Sequence, residues 1–357
     1  MTESNRILAI DVGGGTQDVF LYDPALPVEA CVQLVLPAPT VVVAGRIRQA
    51  TQAARPVFLT GNLMGGGACV SALKRHIRGG LAAYATPRAA LTVRDNLDQV
   101  RQRGVQIVDS PPDPSAVTIE TDDLHLPALR SALAPYGVAL PQTIAVAVQD
   151  HGECLQGRNR VLRFRLWRDF LAGGGALVDL VYPTPPPHFT RMRAVQESAP
   201  GAILMDTAAA ALWGALCDPF VASRREQGLV VLNVGNQHVL GALVRDRRVW
   251  GLFEHHTALV DREKVRSLVE RLCAGTLSDE EVLADNGHGA AFHPGYRPWG
   301  RPALVAVTGP RRALVQGLGY YLAAPFGNMM LSGAFGLVAA VRARLAPEAE
   351  KEGPWPP

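Results

Sequence analysis

The sequence predicts an α/β protein, and three features carry that expectation. Short apolar runs recur at residues 7–10, 143–148 and 228–232, each ending in a cluster of glycine and polar residues. Stretches with helical patterning, such as 41–54 and 69–78, lie between such runs. At 357 residues, 48% of them apolar and 19% charged, the chain is long enough for two compact domains. Ligands of α/β folds gather beyond the carboxyl ends of the strands, so the polar clusters that end the runs are the candidate site.

Bulk properties narrow the setting. The net charge is only +3 and no long Lys or Arg run exists, so nothing points to nucleic acid or an anionic membrane as partner. The apolar stretch near the N-terminus is very short and bracketed by Asn5, Arg6 and Asp11, unlike a secretion signal. No apolar segment is long enough to span a bilayer. The five cysteines are scattered without a CxxC pair, which suggests neither a disulfide framework nor an iron–sulfur site. A reduced, cytoplasmic protein is expected.

Residues 7–23 set the frame. Ile7 to Ile10 lead through Asp11 into three glycines, and Val19 to Tyr22 follow Thr16, Gln17 and Asp18. Two strands joined by a glycine turn are predicted. Gly13, Gly14 and Gly15 carry no Cβ, so a phosphate can lie against their N–H groups. Asp11 would face it through hydrated Mg²⁺, which favours one or two carboxylates plus phosphate oxygens. Thr16 and Gln17 would add neutral hydrogen bonds. The bland alternative is an ordinary glycine hairpin with Asp11 and Asp18 as turn formers.

Asp-Val-Gly-Gly-Gly-Thr resembles the first phosphate loop of the actin, sugar-kinase and heat-shock-chaperone ATPase superfamily, whose pattern is strand, Asp-x-Gly-x-Gly-Thr, strand. The resemblance implies two ribonuclease-H-like domains flanking a nucleotide cleft, with a second phosphate loop and an adenosine loop further along. It sets the first domain at 1–202, the second at 203–330, and a closing helix at 331–346 packing back on the first. The tail, 347–357, is expected to be mobile.

In the first half, a strand at 29–36 is followed by a helix at 41–54 and a buried strand at 56–60. Met64, Gly65, Gly66 and Gly67 then form a second glycine cluster before a helix at 69–78. Free N–H groups at a helix start suit an anion, here assigned to substrate; a plain connection is the alternative. Strands at 81–85 and 105–108 continue the pattern, and Asp122 or Asp123 is placed to cap a helix ending near Gly137. The run 143–148 delivers Gln149, Asp150 and His151 to a strand end. Asp150 is a candidate to orient water or take a substrate proton. His151 is a candidate base or metal ligand, and turn chemistry is the alternative for both. Arg158, Arg160, Arg163 and Arg165 follow, one or two of them available to an anionic ligand. A strand is expected at 176–181. Asp206 opens the alanine-rich helix at 208–217, as its N-cap and, compatibly, as a cleft-facing carboxylate.

The run 228–232 ends in Asn233, then Gly235, Asn236, Gln237 and His238, where the resemblance places the second phosphate loop. Strands at 239–244 and 247–253 follow. The superfamily usually has Asp where this chain has Asn233, and Asn binds phosphate or metal-bound water without adding charge. Weaker Mg²⁺ affinity or hydrolysis is implied. His255 and His256 end the third strand on opposite faces, and His288 follows two predicted helices. With His151 they form a candidate metal or acid–base cluster, with His255 and His288 assigned to the substrate side; ordinary hydrogen-bonded histidines are the alternative. A strand at 303–307, then Gly309, Pro310, Arg311 and a helix, occupy the adenosine-loop position, with Arg311 available to stack on the base and plain exposure as the alternative. Gly333-Ala-Phe-Gly336, within a helix at 328–346, resembles the superfamily's closing helix.

Met64-Gly-Gly-Gly, Gln149-Asp-His-Gly, Glu254-His-His-Thr and Asn286-Gly-His-Gly also resemble a family whose members carry the label "putative pyruvate formate-lyase activating enzyme". True activating enzymes hold a 4Fe–4S cluster through a closely spaced cysteine triplet. This sequence has none, so radical iron–sulfur chemistry is not expected.

The expected function is ATP-binding, Mg²⁺-dependent phosphoryl transfer, as an ATPase or small-molecule kinase. Asp11 positions Mg²⁺, the loops at 13–16 and 233–237 grip phosphates, and Asp150 or Asp206 orients the nucleophile. The partner is then a nucleotide together with a small molecule or protein. A non-enzymatic nucleotide-gated binding or activator module is the alternative that Asn233 favours. A histidine-based metal-dependent hydrolase or metallochaperone is the third.

Overall fold

The computed structural model describes residues 5–346, so the tail at 347–357 lies outside the described residues. β1 (Ile7–Val12) and β2 (Thr16–Tyr22) pair antiparallel, and β3 (Val32–Pro37) adds to β2. Alternate residues of β1 enter two different cores, Ile7 and Ala9 on one face and Leu8, Ile10 and Val12 on the other. A strand covered on both faces reads as a continuous apolar run, which is what residues 7–10 show.

After β3 the chain leaves this sheet. The helix Pro39–Gln52 leads into β4 (Val57–Gly61), β5 (Ala83–Ala85), β6 (Val105–Ile107) and β7 (Val117–Thr121). These form a separate, wholly parallel sheet in the order β6-β5-β4-β7, over its own core of Ile47, Leu59, Leu73 and Ile119. The first sheet resumes at β8 (Thr143–Val148), parallel to β1, and closes with β9 (Ile203–Met205), in the order β3-β2-β1-β8-β9. Two expectations change. The buried strand expected at 56–60 belongs to an inserted α/β layer, because its partners are β5 and β7; a buried parallel run has the same pattern in either sheet. Residues 203–205 complete the first sheet, so the halves divide at the helix Thr207–Leu216 and not at 203.

The second half holds β10 (Leu229–Val234), β11 (His238–Arg245), β12 (Arg248–His256), β13 (Gly289–Phe292), β14 (Val305–Thr308) and β15 (Tyr321–Leu322), ordered β13-β12-β11-β10-β14-β15. Without the edge strand β13 this repeats the first sheet: a three-stranded meander, then two strands parallel to the first on its other side. That order is ribonuclease-H-like in both halves. The protein is therefore two ribonuclease-H-like units flanking a cleft, with an α/β layer inserted in the first.

The inner faces of the two sheets share one core, into which the helices Thr207–Leu216 and Ser332–Leu345 are sunk. Their small residues set the spacing. A Cβ on Gly214 would overlap the Ser332 carbonyl oxygen, and one on Gly336 would overlap the Ala210 carbonyl oxygen. No helix among the described residues is long and apolar enough to cross a membrane.

Local differences have local causes. The strand expected at 176–181 is a 3₁₀ turn, Leu177–Leu180, that buries both of its leucines at i, i+3 spacing, and only Ala176 bridges to Arg248. The helix expected after β14 is only the 3₁₀ turn Arg312–Val315, followed by Gly317 and Gly319 at φ +89° and +70°. The helix Leu126–Leu133 is capped by His125, not by Asp122 or Asp123. The closing helix begins at Ser332, after a turn capped by Asn328.

Candidate functional site

The two β-hairpin turns face each other across a cleft of about 490 Å³, with Met64, Gly65, Gly66 and Gly67 along one side. They are built alike. The Gly13 N–H donates to the Thr16 carbonyl at 2.9 Å, and the Gly235 N–H donates to the His238 carbonyl at 2.9 Å. The glycines of the first turn make room for the side chains of the second. A Cβ on Gly14 would stand 2.8 Å from Gln237 Nε2, and one on Gly15 2.6 Å from Asn236 Nδ2. Gly13, Gly14, Thr16, Asn233, Gly235, Asn236, Gln237 and Gly309 all line the cleft. Gln17 turns away and donates to the Asp123 carbonyl at 3.0 Å, because residues alternate along β2. Arg311 is exposed and offers only its backbone N–H, to the Val234 carbonyl at 3.0 Å.

Asp11 and Asp18 are cross-strand neighbours, and both line the cleft. The Oδ1 of each is buried without a hydrogen-bond partner, while Thr16 donates to Asp18 Oδ2 at 3.3 Å. The carboxylate of Asp11 lies against Gly333, in the first turn of the Ser332–Leu345 helix, where a Cβ would collide with it. Burial, then the neighbouring Asp18 and Asp206, raises the Asp11 carboxyl well above its ordinary range. Burial pushes Asp18 up to about 7, against the opposing Thr16 hydrogen bond. Two buried carboxylates with orphaned oxygens call for a proton or a cation between them. The donor set suits hydrated Mg²⁺.

Asp150 lines the cleft, but its carboxylate is engaged. It accepts from the N–H groups of Gly152 at 2.9 Å, Arg191 at 2.9 Å and Met192 at 3.0 Å, fixing the start of the helix Thr190–Ser198. Burial raises it to about 6 despite those bonds. Asp206 does not line the cleft. It caps its helix through Ala208 N at 2.9 Å and pairs with Arg163 at 2.9 and 3.2 Å. Arg163, on the helix Asn159–Ala172, is buried and also grips Glu254 of β12, so one guanidinium ties the two halves together. Arg191 forms a bidentate pair with Asp123 at 2.7 and 2.9 Å and donates to the Gln149 carbonyl at 2.9 Å.

The histidines divide. His255 is buried outside the cleft, with Nε2 3.1 Å from Asp285. His151, His238, Glu254 and His288 converge, each offering a donor atom within 4.8 Å of the others. Buried His151 Nε2 and His288 Nδ1 have no hydrogen-bond partner. Gln149 Nε2 lies 2.6 Å from His238 Nδ1 and 3.2 Å from Glu254 Oε1. Burial lowers His238 to about 4 and His288 to about 3, and takes His151 well below its ordinary value. For Glu254 burial acts upward, but Arg163 and the surrounding imidazoles hold the carboxyl below its usual range.

In sequence Asp18 reads only as a turn former, and Glu254, Arg163 and Arg191 have no individual signature. Two indirect signals were present. In a hairpin closed by the 13–15 glycines, Asp18 falls directly opposite Asp11, and Glu254 is a lone acid within the buried run of β12.

No curated protein matches this chain. Solved structures are similar at low identity. The Lmo2764 protein of Listeria monocytogenes is 10% identical over 94% of this chain and 98% of its own, with a TM-score of 0.33. An exopolyphosphatase of Cytophaga hutchinsonii is 8% identical over 85% and 66%, with a TM-score of 0.28. A ROK family transcriptional regulator, a homolog of the E. coli MLC protein, is 8% identical over 68% of this chain, which spans only 37% of the regulator's length (TM-score 0.24). The fold assignment rests on the strand order above. Residues 64–314 match the family described as "Putative pyruvate format-lyase activating enzyme (DUF1786)", and the chain belongs to that family.

Proposed function

We propose that this protein binds a nucleoside triphosphate, ATP in the first instance, in the cleft and transfers its terminal phosphoryl group to water or a small acceptor. One observation carries the reading: two hairpin turns of matching geometry face each other across a cleft, with the orphaned carboxylate oxygens of Asp11 and Asp18 beside them. The N–H groups of Gly13 and Gly235 close the turns, so the backbone N–H groups of Gly14 and Asn236 would hold phosphate oxygens, and the Gln237 amide would close over them. Asp11 and Asp18 would hold hydrated Mg²⁺, which supplies charge neutralisation to the transferring group.

The remaining work is positioning. Arg163 fixes Asp206 and Glu254 across the two halves, and Asp150 locks the backbone beneath His151 through three N–H bonds. Met64 to Gly67, with Gly67 close against Gln237 Nε2, border the acceptor's space. Exposed Arg94 and Arg103 also line the cleft and favour an anionic acceptor. Asn233 supports a second reading, a nucleotide-gated module that binds without turnover.

Calorimetric titration with ATP and Mg²⁺, comparing wild type with Asp11→Ala and following phosphate release, tests both. Binding lost in the variant is expected. Turnover then separates enzyme from gate, and absence of binding by wild type would sink both readings.

A further inference from the structure

We propose that His151, His238, Glu254 and His288 form a site for a zinc-class divalent transition-metal ion that clamps the two halves of the protein together. The four donors come from both sides of the cleft. His151 follows β8 of the first sheet, whereas His238 starts β11, Glu254 lies in β12 and His288 precedes β13 of the second. Three imidazoles and a carboxylate are a zinc-type donor set. Their mutual separations, all within 4.8 Å, are close to the ~3.4 Å that tetrahedral geometry with bonds of about 2.0–2.1 Å requires. Rotation of side chains closes the gap.

An ordinary buried histidine makes hydrogen bonds, and His255 with Asp285 shows that arrangement in this same chain. Two rings of the cluster do not. His151 Nε2 and His288 Nδ1 are buried and unpaired, a cost that a bound cation removes. A supporting group is also in place. Arg163 holds one oxygen of Glu254, as an outer partner of a ligating carboxylate does. The neutral imidazoles need no proton loss to bind. Because His238 adjoins Gln237 of the second hairpin turn, an ion here would fix that turn against the end of β8.

This site does not depend on the nucleotide reading, and its test contains no nucleotide. Untagged, chelator-stripped full-length protein would be titrated with Co²⁺, followed by its visible absorption, and with Zn²⁺ in competition. One equivalent of Co²⁺ with an intense tetrahedral spectrum, displaced by Zn²⁺, is expected. His238→Ala and His288→Ala should weaken binding more than the 10–100-fold that outer-shell partners alone are worth. His255→Ala should not. Circular dichroism checks that each variant folds. A wild-type protein giving no such spectrum would overturn the site whatever the variants do. Unchanged binding in His151→Ala, whose ring is the sole ligand from the first half, would overturn the clamp.

Discussion

The two hairpins, β1–β2 and β10–β11, share a backbone and differ in chemistry. Each has a strand of six residues, a glycine N–H bonded back across the turn at 2.9 Å, and a parallel neighbour on its other side. By register Asp11 corresponds to Asn233, Thr16 to His238 and Asp18 to Leu240. The first hairpin thus holds two carboxylates at the cleft, and the second holds none. What the second carries instead is His238, which turns toward Glu254 and His288. A repeated scaffold carries the same turn twice and splits the charge, with a carboxylate pair on one side and an imidazole cluster on the other.

The largest effect is expected from making the first hairpin resemble the second. Asp11→Asn keeps shape and hydrogen-bonding capacity but removes the charge. Phosphoryl transfer should fall on the order of a hundredfold to a thousandfold, the range for losing one transition-state electrostatic contact. Thermal stability without Mg²⁺ should rise, because a buried, unpaired carboxylate facing Asp18 has gone. Calorimetry, phosphate release and thermal unfolding on the same samples check both arms. A variant as active as wild type would remove Asp11 from the mechanism.

How much of this was legible follows from which features are local. The strand–glycine–strand signature at residues 7–23 and its partner at 228–244 could be read because alternation and turn chemistry are local properties. The pairing of β4 with β5 and β7, and of residues 203–205 with β8, could not, because buried parallel strands look the same in any sheet. At the site, the strand–turn placement of Asp11, Gly13 and Gly14 beside the cleft is readable in the sequence. Gln17 turns away because residues alternate along β2, and Asp206 is the expected helix cap, held by Arg163 and away from the cleft. The His151–His238–Glu254–His288 cluster has no ligand spacing to betray it, since its members lie on separate elements that only the tertiary fold brings together.

The contrast should also show in pH dependence. Asp18 titrates near 7 in the folded chain against an ordinary value of 3.8, so between about pH 4 and 7 the folded state retains a proton that the unfolded state has lost. Asp18 therefore contributes a fall in stability without Mg²⁺ as pH rises through that window. Asp18→Asn should reduce the slope, leaving the share that the raised carboxyls of Asp11 and Asp150 contribute, and Leu240→Ala in the second hairpin should lower the whole curve without changing its slope. Chemical unfolding at several pH values reads this, and an unchanged slope in Asp18→Asn would sink the assignment. The helices behind the hairpins offer a comparison of packing. Gly336→Ala forces backbone against backbone at Ala210 and should cost about 1–3 kcal/mol. Gly201→Ala has open space and should cost less in packing, with only its φ of +81° to strain.

The smallest effect comes from restoring the missing charge. Asn233→Asp returns the carboxylate that the first hairpin has at Asp11. Asn233 faces the cleft beside Thr308, its partner on β14, and Gly309, so the new group would stand near the phosphates. A third acid beside Asp11 and Asp18 adds attraction for Mg²⁺ but also repels the nucleotide's own charge, and the two nearly offset. Mg²⁺-dependent nucleotide affinity should rise by about fivefold, close to 1 kcal/mol, while affinity without Mg²⁺ falls. The sign reversal matters more than either magnitude. A loss of affinity under both conditions would mean that the second hairpin needs to be neutral, and that the asymmetry between the hairpins is itself the working arrangement.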